Sequence, residues 1–287
     1  MTKRRRASAA NAPFAVARRR AGAADYHRFA KTMFGPAIVK TVRHNADAVR
    51  VLSVGGAYQT ATYLDERRYD LVFPYYRAFD LALSAPTPDR RILAIGAGGC
   101  AWPKHAVATC PTATVDAVEV DPAIAAIARE LFFVDEAEAA GRLRLLVADG
   151  RAFLEACDAG SYDVIVVDAF AGMDDVHPLA TIEAARAIRR ALVPGGLLLA
   201  NVVSRCNGTD VSHLRDAATT FAHVFARTNI IPCADEGFSQ EDNYLLAATD
   251  SLHPFENALT LPDGGAGRVL HDRDENPTAL DARRHHE

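Results

Sequence analysis

The chain has 287 residues, of which 49% are hydrophobic and 24% charged, a composition typical of a globular protein that rules out wholesale disorder. Its formal net charge is −4, and seven of its 32 basic residues lie within residues 1–20, which contain no acid. The remainder carries 25 basic against 36 acidic residues, a balance that disfavours nucleic acid as the main ligand and favours a cationic one.

The cysteines and the apolar runs bear on where the protein works. The five cysteines are odd in number and form no CxxC pair, so a disulfide framework and a zinc knuckle are both disfavoured. No cluster of His, Cys and Asp has metal-ligand spacing, and we predict no metal site. Since no apolar run approaches the roughly 18 residues that span a bilayer, we expect a cytoplasmic protein without a membrane partner.

The sequence pattern divides the chain into four parts. Residues 1–24 are rich in Arg and Ala without an apolar period, which predicts a disordered basic tail, with recruitment of RNA or a membrane as the functional alternative. Residues 25–86 are predicted to form a small β domain with a linking helix, and residues 87–262 a nucleotide-binding α/β domain. Residues 263–287 are Gly-rich and charged, which predicts a flexible C-terminal tail.

The small N-terminal domain has a β pattern. Its predicted strands are Ile38–Val42, Val49–Val54 and Ala57–Leu64. A Gly-Gly pair at 55–56 supplies the positive φ angles of a tight turn between the last two strands. Apolar side chains then recur at helical spacing between residues 71 and 83. We therefore expect an antiparallel β unit followed by one helix.

From Arg90 onward, short apolar runs alternate with helical stretches, the pattern of a parallel sheet covered by helices on both faces. The predicted strands are Ile92–Ile95, Thr114–Val118, Leu143–Val147, Asp163–Val167, Leu197–Val202, Thr228–Ile231 and Tyr244–Ala248. The predicted helices are Pro103–Thr109, Pro122–Phe133, Arg151–Cys157, Ile182–Leu192 and Val211–Val224. Ligands of such sheets bind at the carboxyl ends of the strands, near the reversal of strand order.

Glycines and acids follow the first two strands of this region. Gly96 and Gly98 allow the backbone to turn tightly and approach a ligand, although a buried strand–helix turn also uses glycines for packing. Glu119 follows the second strand, where a carboxylate can accept hydrogen bonds from both hydroxyls of a ribose. Asp121 beside it can cap the next helix. Together these residues predict a nucleotide-type ligand.

The third and fourth strands end in Asp149-Gly150 and in Asp168. Asp149 can bind an adenine amino group, or cap the helix that follows it. Four strongly apolar residues precede Asp168, so its carboxylate is expected to emerge at the sheet edge beside the ligand. Asp168 is therefore the candidate for chemistry.

The combination of motifs resembles a known family. It is carried by Gly56-Ala57-Tyr58-Gln59-Thr60, Tyr69, Ile95-Gly96-Ala97-Gly98-Gly99, Val118-Glu119-Val120-Asp121, Asp149-Gly150-Arg151-Ala152-Phe153-Leu154 and Tyr162–Phe170, and covers about residues 37–250. This order resembles the polyamine aminopropyltransferases, the spermidine synthase family, and is closer to its divergent spermidine synthase-like bacterial branch. The fold implied is α/β, a Rossmann-like class I methyltransferase sheet with a small N-terminal antiparallel β domain.

The resemblance also implies a reaction and its site. An aminopropyl group is transferred from decarboxylated S-adenosylmethionine to a polyamine such as putrescine, without a metal. By the resemblance Glu119 holds the ribose, Asp149 the adenine and Asp168 the attacking amine, while Tyr69 lines the amine channel. The remaining donor-site residues that it implies are Gln59, Gly96, Gly98 and Gly150. A homodimer is implied as well.

The sequence departs from the family pattern at three places, one of which is Tyr69-Asp70-Leu71 in place of the family's Tyr-x-Glu. Gly99 stands where the family has an Asp that meets the amino group of the donor. Ala171 stands where a second Asp follows the catalytic one. Asp174, Asp175 and Glu241 are the candidates to supply the missing negative charge on the substrate side.

The sequence is also compatible with three other functions. A methyltransferase that uses intact S-adenosylmethionine would share Glu119, Asp149 and the glycine turn. A dinucleotide oxidoreductase would fit the glycine spacing but leaves Asp149 and Asp168 without a role. A catalytically silent domain that binds a nucleoside or a partner would explain the two missing carboxylates.

Overall fold

The computed structural model describes residues 27–44, 47–84, 89–171, 174–175, 177–203, 211–233, 243–251 and 267–274. The predicted basic tail, residues 1–24, lies outside the described residues. The described part contains a four-stranded antiparallel sheet and a seven-stranded, mostly parallel sheet. This is the predicted fold class.

The N-terminal sheet has the strand order β1-β2-β3-β4. Its strands are β1 (His27–Thr32), β2 (Gly35–His44), β3 (Asp47–Val54) and β4 (Ala57–Tyr63). The three predicted strands are confirmed as β2, β3 and β4, and the Gly-Gly turn has φ angles of +60° and +93°. The first strand was missed because only one of its six residues is β-branched.

The predicted linking helix is mostly a 3₁₀ helix. It covers Pro74–Asp80 and continues as α1 (Leu81–Ser84). Proline is tolerated at its start because the first N–H groups of a helix have no partner within it. The rings of Tyr75 and Tyr76 stack with centroids 4.2 Å apart. The Tyr76 hydroxyl donates to the Gln59 carbonyl of β4 at 3.4 Å and the Tyr75 hydroxyl donates to Asp168 in the second sheet region at 3.3 Å, so this segment links the two sheets.

The second sheet has the order β12-β13-β11-β8-β5-β6-β7. Its strands are β5 (Arg90–Ile95), β6 (Ala113–Glu119), β7 (Leu143–Val147), β8 (Tyr162–Val167), β11 (Leu192–Val203), β12 (Arg227–Pro232) and β13 (Asn243–Thr249), and a two-residue hairpin, β9 (Phe170–Ala171) with β10 (Asp174–Asp175), follows β8. The predicted parallel sheet is confirmed except at β13, which runs antiparallel to both of its neighbours. The ten residues between β12 and β13 are fewer than a parallel crossover needs.

Helices cover both faces of this sheet. They are α2 (Ala101–Thr109), α3 (Pro122–Leu131), α4 (Val134–Ala139), α5 (Gly150–Ala156), α6 (Ile182–Ala191) and α7 (Ser212–Ala222). The predicted helix from Pro122 ends two residues early, because Phe133 adopts a left-handed φ of +62° before α4. Within the described residues, no helix has both the length and the apolar character that crossing a membrane would require.

Strand order reverses at β5, with β6 and β7 on one side and β8 and β11 on the other. The carboxyl ends of β5 and β8 therefore border the crevice where ligands of such sheets bind. The loops after β5, β6, β7 and β8 meet at this edge and position the candidate site.

Part of the predicted flexible C-terminal tail is packed. Leu270 is only 3% exposed, and its carbonyl accepts a hydrogen bond from the Ile182 N–H at 2.9 Å. The prediction is thus wrong for residues 267–274, because one apolar side chain and backbone hydrogen bonds to α6 and α7 fix a segment whose composition is mostly polar. The rest of the predicted tail lies outside the described residues.

A buried lysine links the two sheets. Lys104 of α2 is 1% exposed, and its ammonium group donates to the Thr62 hydroxyl at 2.8 Å and to the Phe132 carbonyl at 2.9 Å. Both acceptors are uncharged, so the desolvated cation is only partly compensated. Burial accordingly lowers the pKa of Lys104 to about 7.

We expect this lysine to make stability depend on pH. Because the pKa of Lys104 is about 7 in the folded state and 10.5 for a lysine exposed to water, the unfolded chain binds more protons between these limits. The free energy of unfolding therefore rises with pH across that window, by at most about 1.4 kcal/mol per pH unit, and this gain is lost as pH falls to about 7. Urea unfolding of the wild type and Lys104→Met at pH 7, 8 and 9 checks this. Parallel pH profiles of the two proteins would contradict it.

Candidate active site

A cavity of about 370 Å³ lies at the carboxyl ends of β5, β6, β7 and β8, a volume suited to a small-molecule ligand. The predicted residues that line it are Gln59, Gly96, Gly98, Glu119, Asp149, Gly150 and Asp168. Unpredicted lining residues include Tyr75, Tyr76, Pro178, Leu179, Asn201 and Asn243. The structure thus brings the strand-end residues together, as the sheet topology requires.

The glycine turn after β5 depends on the absence of side chains. Gly96 has a φ of +82°, and a Cβ built there would overlap the carbonyl oxygen of Asp168. Gly98 has a φ of +50°, and Cys100, with a φ of +53°, then leads into α2. The turn therefore brings the ends of β5 and β8 into direct contact below the cavity.

Glu119 at the end of β6 is tied to this turn. Its carboxylate accepts hydrogen bonds from the Gly98 N–H at 2.8 Å and from the Asp121 N–H at 3.0 Å. The side chain is 6% exposed, and burial raises the pKa of Glu119 even though these N–H groups lower it. Asp121 accepts from the N–H groups of Ala123 and Ile124, which confirms it as the cap of α3. The predicted contact of Glu119 with ribose stays a prediction.

The turn after β7 brings Asp149 to the cavity. Its carboxylate accepts from the Ala152 N–H at 2.8 Å and so caps α5, one of the two roles left open by the sequence. A Cβ on Gly150 would overlap the side chain of Ile95, so a glycine lets α5 begin close to β5. An adenine contact by Asp149 is compatible with the cap, because a carboxylate has further acceptor sites.

Asp168 is held from two sides. The Tyr75 hydroxyl donates to its Oδ2 at 3.3 Å, and the Asn201 Nδ2 donates to its Oδ1 at 2.9 Å. Burial is the main reason why the pKa of Tyr75 lies well above its ordinary value, and the neighbouring Asp168 carboxylate raises the pKa further. This phenol therefore stays a neutral donor. The carboxylate is thus fixed in orientation beside the cavity.

Tyr69 is not among the described residues that line this cavity, and its predicted place in an amine channel stays a prediction. Its carbonyl contacts the His105 ring at 3.0 Å. Burial and then the Glu136 carboxylate raise the pKa of Tyr69 to about 12. The aromatic residue at Asp168 is instead Tyr75, which helical spacing alone assigns to the core. The backbone of Asp174–Asp175 pairs with Phe170–Ala171, but the side chains of both aspartates lie outside what the structure describes, as does Glu241.

The sequence offered a signal for Asn201. It lies near the end of the predicted strand Leu197–Val202. The rule that ligands bind at the carboxyl ends of strands therefore applied to it, as it did to the acidic residues that follow the earlier strands. Its Oδ1 is buried and has no hydrogen-bond partner among the described residues. Asn201 therefore presents an unsatisfied acceptor beside Asp168.

The departure at Gly99 has a structural counterpart. A Cβ at this position would overlap the methyl group of Thr60, which is fully buried on β4. The space next to the glycine turn is thus filled by a neutral side chain from the N-terminal sheet. An acidic residue at position 99 would require Thr60 to move.

Comparison with known proteins relates this geometry to function. Residues 45–234 match the spermine/spermidine synthase domain family. A polyamine aminopropyltransferase of Vibrio vulnificus is 30% identical over 152 residues, which cover 52% of this chain and 50% of the relative. Putrescine N-methyltransferase 3 of Nicotiana tabacum is 32% identical over 117 residues, or 40% of this chain and 30% of the relative. The chain spans half or less of the length of these two relatives.

The fold is also similar to solved structures. A probable spermidine synthase from Corynebacterium glutamicum superposes with a TM-score of 0.66 at 23% identity, covering 79% of this chain and 81% of that chain. At this level of identity the likeness concerns the fold.

Proposed function

Because the chain belongs to the spermine/spermidine synthase domain family, we propose that it is an aminopropyltransferase. The donor is decarboxylated S-adenosylmethionine and the acceptor is a polyamine such as putrescine. The observation that carries the proposal is the Asp168 carboxylate, which lines the cavity where the strand order reverses and is oriented by Tyr75 and Asn201.

The donor half of the site is preorganised in this proposal. Glu119 is held by two backbone N–H groups, so its carboxylate need not reorient when ribose hydroxyls arrive. Asp149 is likewise fixed as a helix cap beside the space for adenine. Both carboxylates keep lone pairs for the ligand, since each oxygen can accept more than one hydrogen bond.

The acceptor half needs a base. A primary amine has a pKa near 10.4 and reaches the site as an ammonium ion at neutral pH. Asp168 binds this ion and accepts one of its protons, which frees the lone pair of the nitrogen to attack the carbon bonded to the sulfonium sulfur. The carbon–nitrogen bond forms while the carbon–sulfur bond breaks, and its electron pair passes to sulfur, which leaves as a neutral thioether. Holding the two reactants in line supplies most of the remaining acceleration.

Methyl transfer to the same amine is the second candidate. Relatives named putrescine N-methyltransferase favour it, as does Gly99, because a glycine packed beside Thr60 offers no side-chain carboxylate at this position for a donor amino group. Incubation of the purified chain with putrescine and either S-adenosylmethionine or its decarboxylated form, followed by mass spectrometry, distinguishes the two. Spermidine from the decarboxylated donor supports our proposal, and N-methylputrescine from the intact donor supports the alternative. No product from either donor would leave a nucleoside-binding domain.

The nucleoside site can be tested separately from turnover. We expect Glu119→Ala to weaken methylthioadenosine binding by about 1.5–3 kcal/mol, the range for a hydrogen bond to a charged group. Calorimetry measures the affinity, and Glu130→Ala is the matched control, because Glu130 is an exposed acid paired with Arg28. An unchanged affinity in the Glu119 variant would remove ribose recognition from this residue.

A further inference from the structure

A segment outside the family match packs next to the cavity. Residues 267–274, which we call the strap, lie beyond the matched range of 45–234. The Leu270 N–H donates to the Thr220 hydroxyl of α7 at 2.9 Å, and the Leu270 carbonyl accepts from Ile182 at the start of α6. With Leu270 buried, the strap is anchored on two helices of the α/β domain.

The strap delivers a carboxylate to the residue that follows Gly150. Asp272 accepts two hydrogen bonds from the Arg151 guanidinium, at 2.9 Å on Oδ1 and 2.8 Å on Oδ2. The hydroxyl of Thr181 donates to the same carboxylate at 2.6 Å. Thr181 is fully buried and caps α6, so Asp272 is fixed relative to that helix. This bidentate hydrogen-bond geometry sets the orientation of the guanidinium as well as its position.

Arg151 in turn joins two walls of the cavity. It lines the cavity next to Asp149, and its guanidinium donates to the Pro178 carbonyl at 2.9 Å. Pro178 and Leu179 line the cavity as well. The guanidinium is therefore the point where the turn after β7 and the loop before α6 meet. It is held there by Glu155 at 2.8 Å, by the Thr181 hydroxyl at 3.2 Å and by the two hydrogen bonds to Asp272, the contact that the C-terminal strap contributes.

We infer that Asp272 is a positioning residue for the nucleobase end of the cavity, acting through Arg151 on the loop at Pro178-Leu179. The inference rests on the proposed function, because it takes the ligand at this end to be a purine nucleoside. The Asp272 side chain is 46% exposed, and exposed ion pairs contribute little to stability. Loss of Asp272 should therefore affect ligand affinity more than unfolding.

The test compares two ion pairs of the same strap. Asp272→Ala removes the contact with Arg151, whereas Arg268→Gln removes the contact of Arg268 with Asp216, which does not reach the cavity. Calorimetry with methylthioadenosine and thermal melting are measured on both variants, on Asp272→Glu and Asp272→Asn, and on Glu119→Ala. We expect Asp272→Ala to weaken binding about tenfold, the scale of one charge-assisted hydrogen bond. Arg268→Gln should bind like the wild type, and Asp272→Glu should recover most of the affinity.

Each outcome decides the question. The inference is overturned if Asp272→Ala binds methylthioadenosine like the wild type, or if Arg268→Gln loses as much affinity as Asp272→Ala. The nucleoside site itself stands in either case if Glu119→Ala still weakens binding. If the wild type itself fails to bind methylthioadenosine, both the proposed function and the inference are wrong. If Asp272→Ala melts well below the wild type, Asp272→Asn replaces it in the comparison, because Asn keeps the size of the side chain and can still accept from Thr181. Weakened binding with normal melting supports the positioning role.

Discussion

Asp168→Asn is expected to lower turnover by roughly 10²–10⁴-fold, the usual effect of losing a general base, while methylthioadenosine binding changes little. Asn keeps the size of the side chain, and its amide can still accept from Asn201 and donate to the Tyr75 oxygen. The substitution removes the negative charge and the proton acceptor at position 168, but the hydrogen bonds with Tyr75 and Asn201 are kept. Steady-state assays with decarboxylated S-adenosylmethionine and putrescine measure the effect.

The same strand provides the control. Asp163 lies at the opposite end of β8 and accepts a hydrogen bond from the Arg91 N–H at 2.8 Å, far from the cavity. Asp163→Asn should leave turnover near the wild-type rate. Full activity in Asp168→Asn would show that the proton leaves by another route and would remove the catalytic assignment of Asp168.

Gly96→Ala should destabilise the fold by about 3–5 kcal/mol, at the upper end of single substitutions. A left-handed φ costs a non-glycine residue roughly 1–2 kcal/mol. The added methyl would in addition overlap the Asp168 carbonyl and lie 2.6 Å from the Ala169 Cα, both backbone atoms of the neighbouring loop. Neither can move away without displacing the end of β8, so nucleoside binding should fall as well.

A second glycine separates these two costs. Gly55 also has a left-handed φ, of +60°, but a Cβ there would meet nothing within 4 Å. Gly55→Ala should therefore cost only the roughly 1–2 kcal/mol of the backbone conformation. Urea unfolding measures both variants. Equal destabilisation in the two proteins would mean that the β5 and β8 ends are not in the close contact described above.

The sequence alone was enough to locate most of the cavity. Glu119, Asp149 and Asp168 each come directly after or within one residue of the end of a predicted strand, and a parallel sheet places the carboxyl ends of its strands along one edge. Gly96 and Gly98 follow from the same rule. These predictions needed only local information, namely where a buried strand stops and which residue comes next.

Other features depend on contacts between distant parts of the chain. Tyr75 meets Asp168 across 93 residues, and the sequence pattern gave no reason to choose it over Tyr69. Helical spacing marks a residue as buried, but it does not tell which cavity a buried side chain borders. The antiparallel direction of β13 depended on the length of a connection rather than on the apolar pattern of the strand itself.

The C-terminal strap shows this division most directly. It belongs to residues 263–287, whose polar and Gly-rich composition predicts a flexible tail, yet Arg151 and Asp272 pair across 121 residues. Whether such a segment packs depends on a few side chains finding matching groups, here the hydroxyls and N–H groups at helix ends. Local patterns determine which residues are buried and where strands end. The tertiary structure decides which of the buried and charged groups meet, because that depends on the relative placement of elements far apart in the chain.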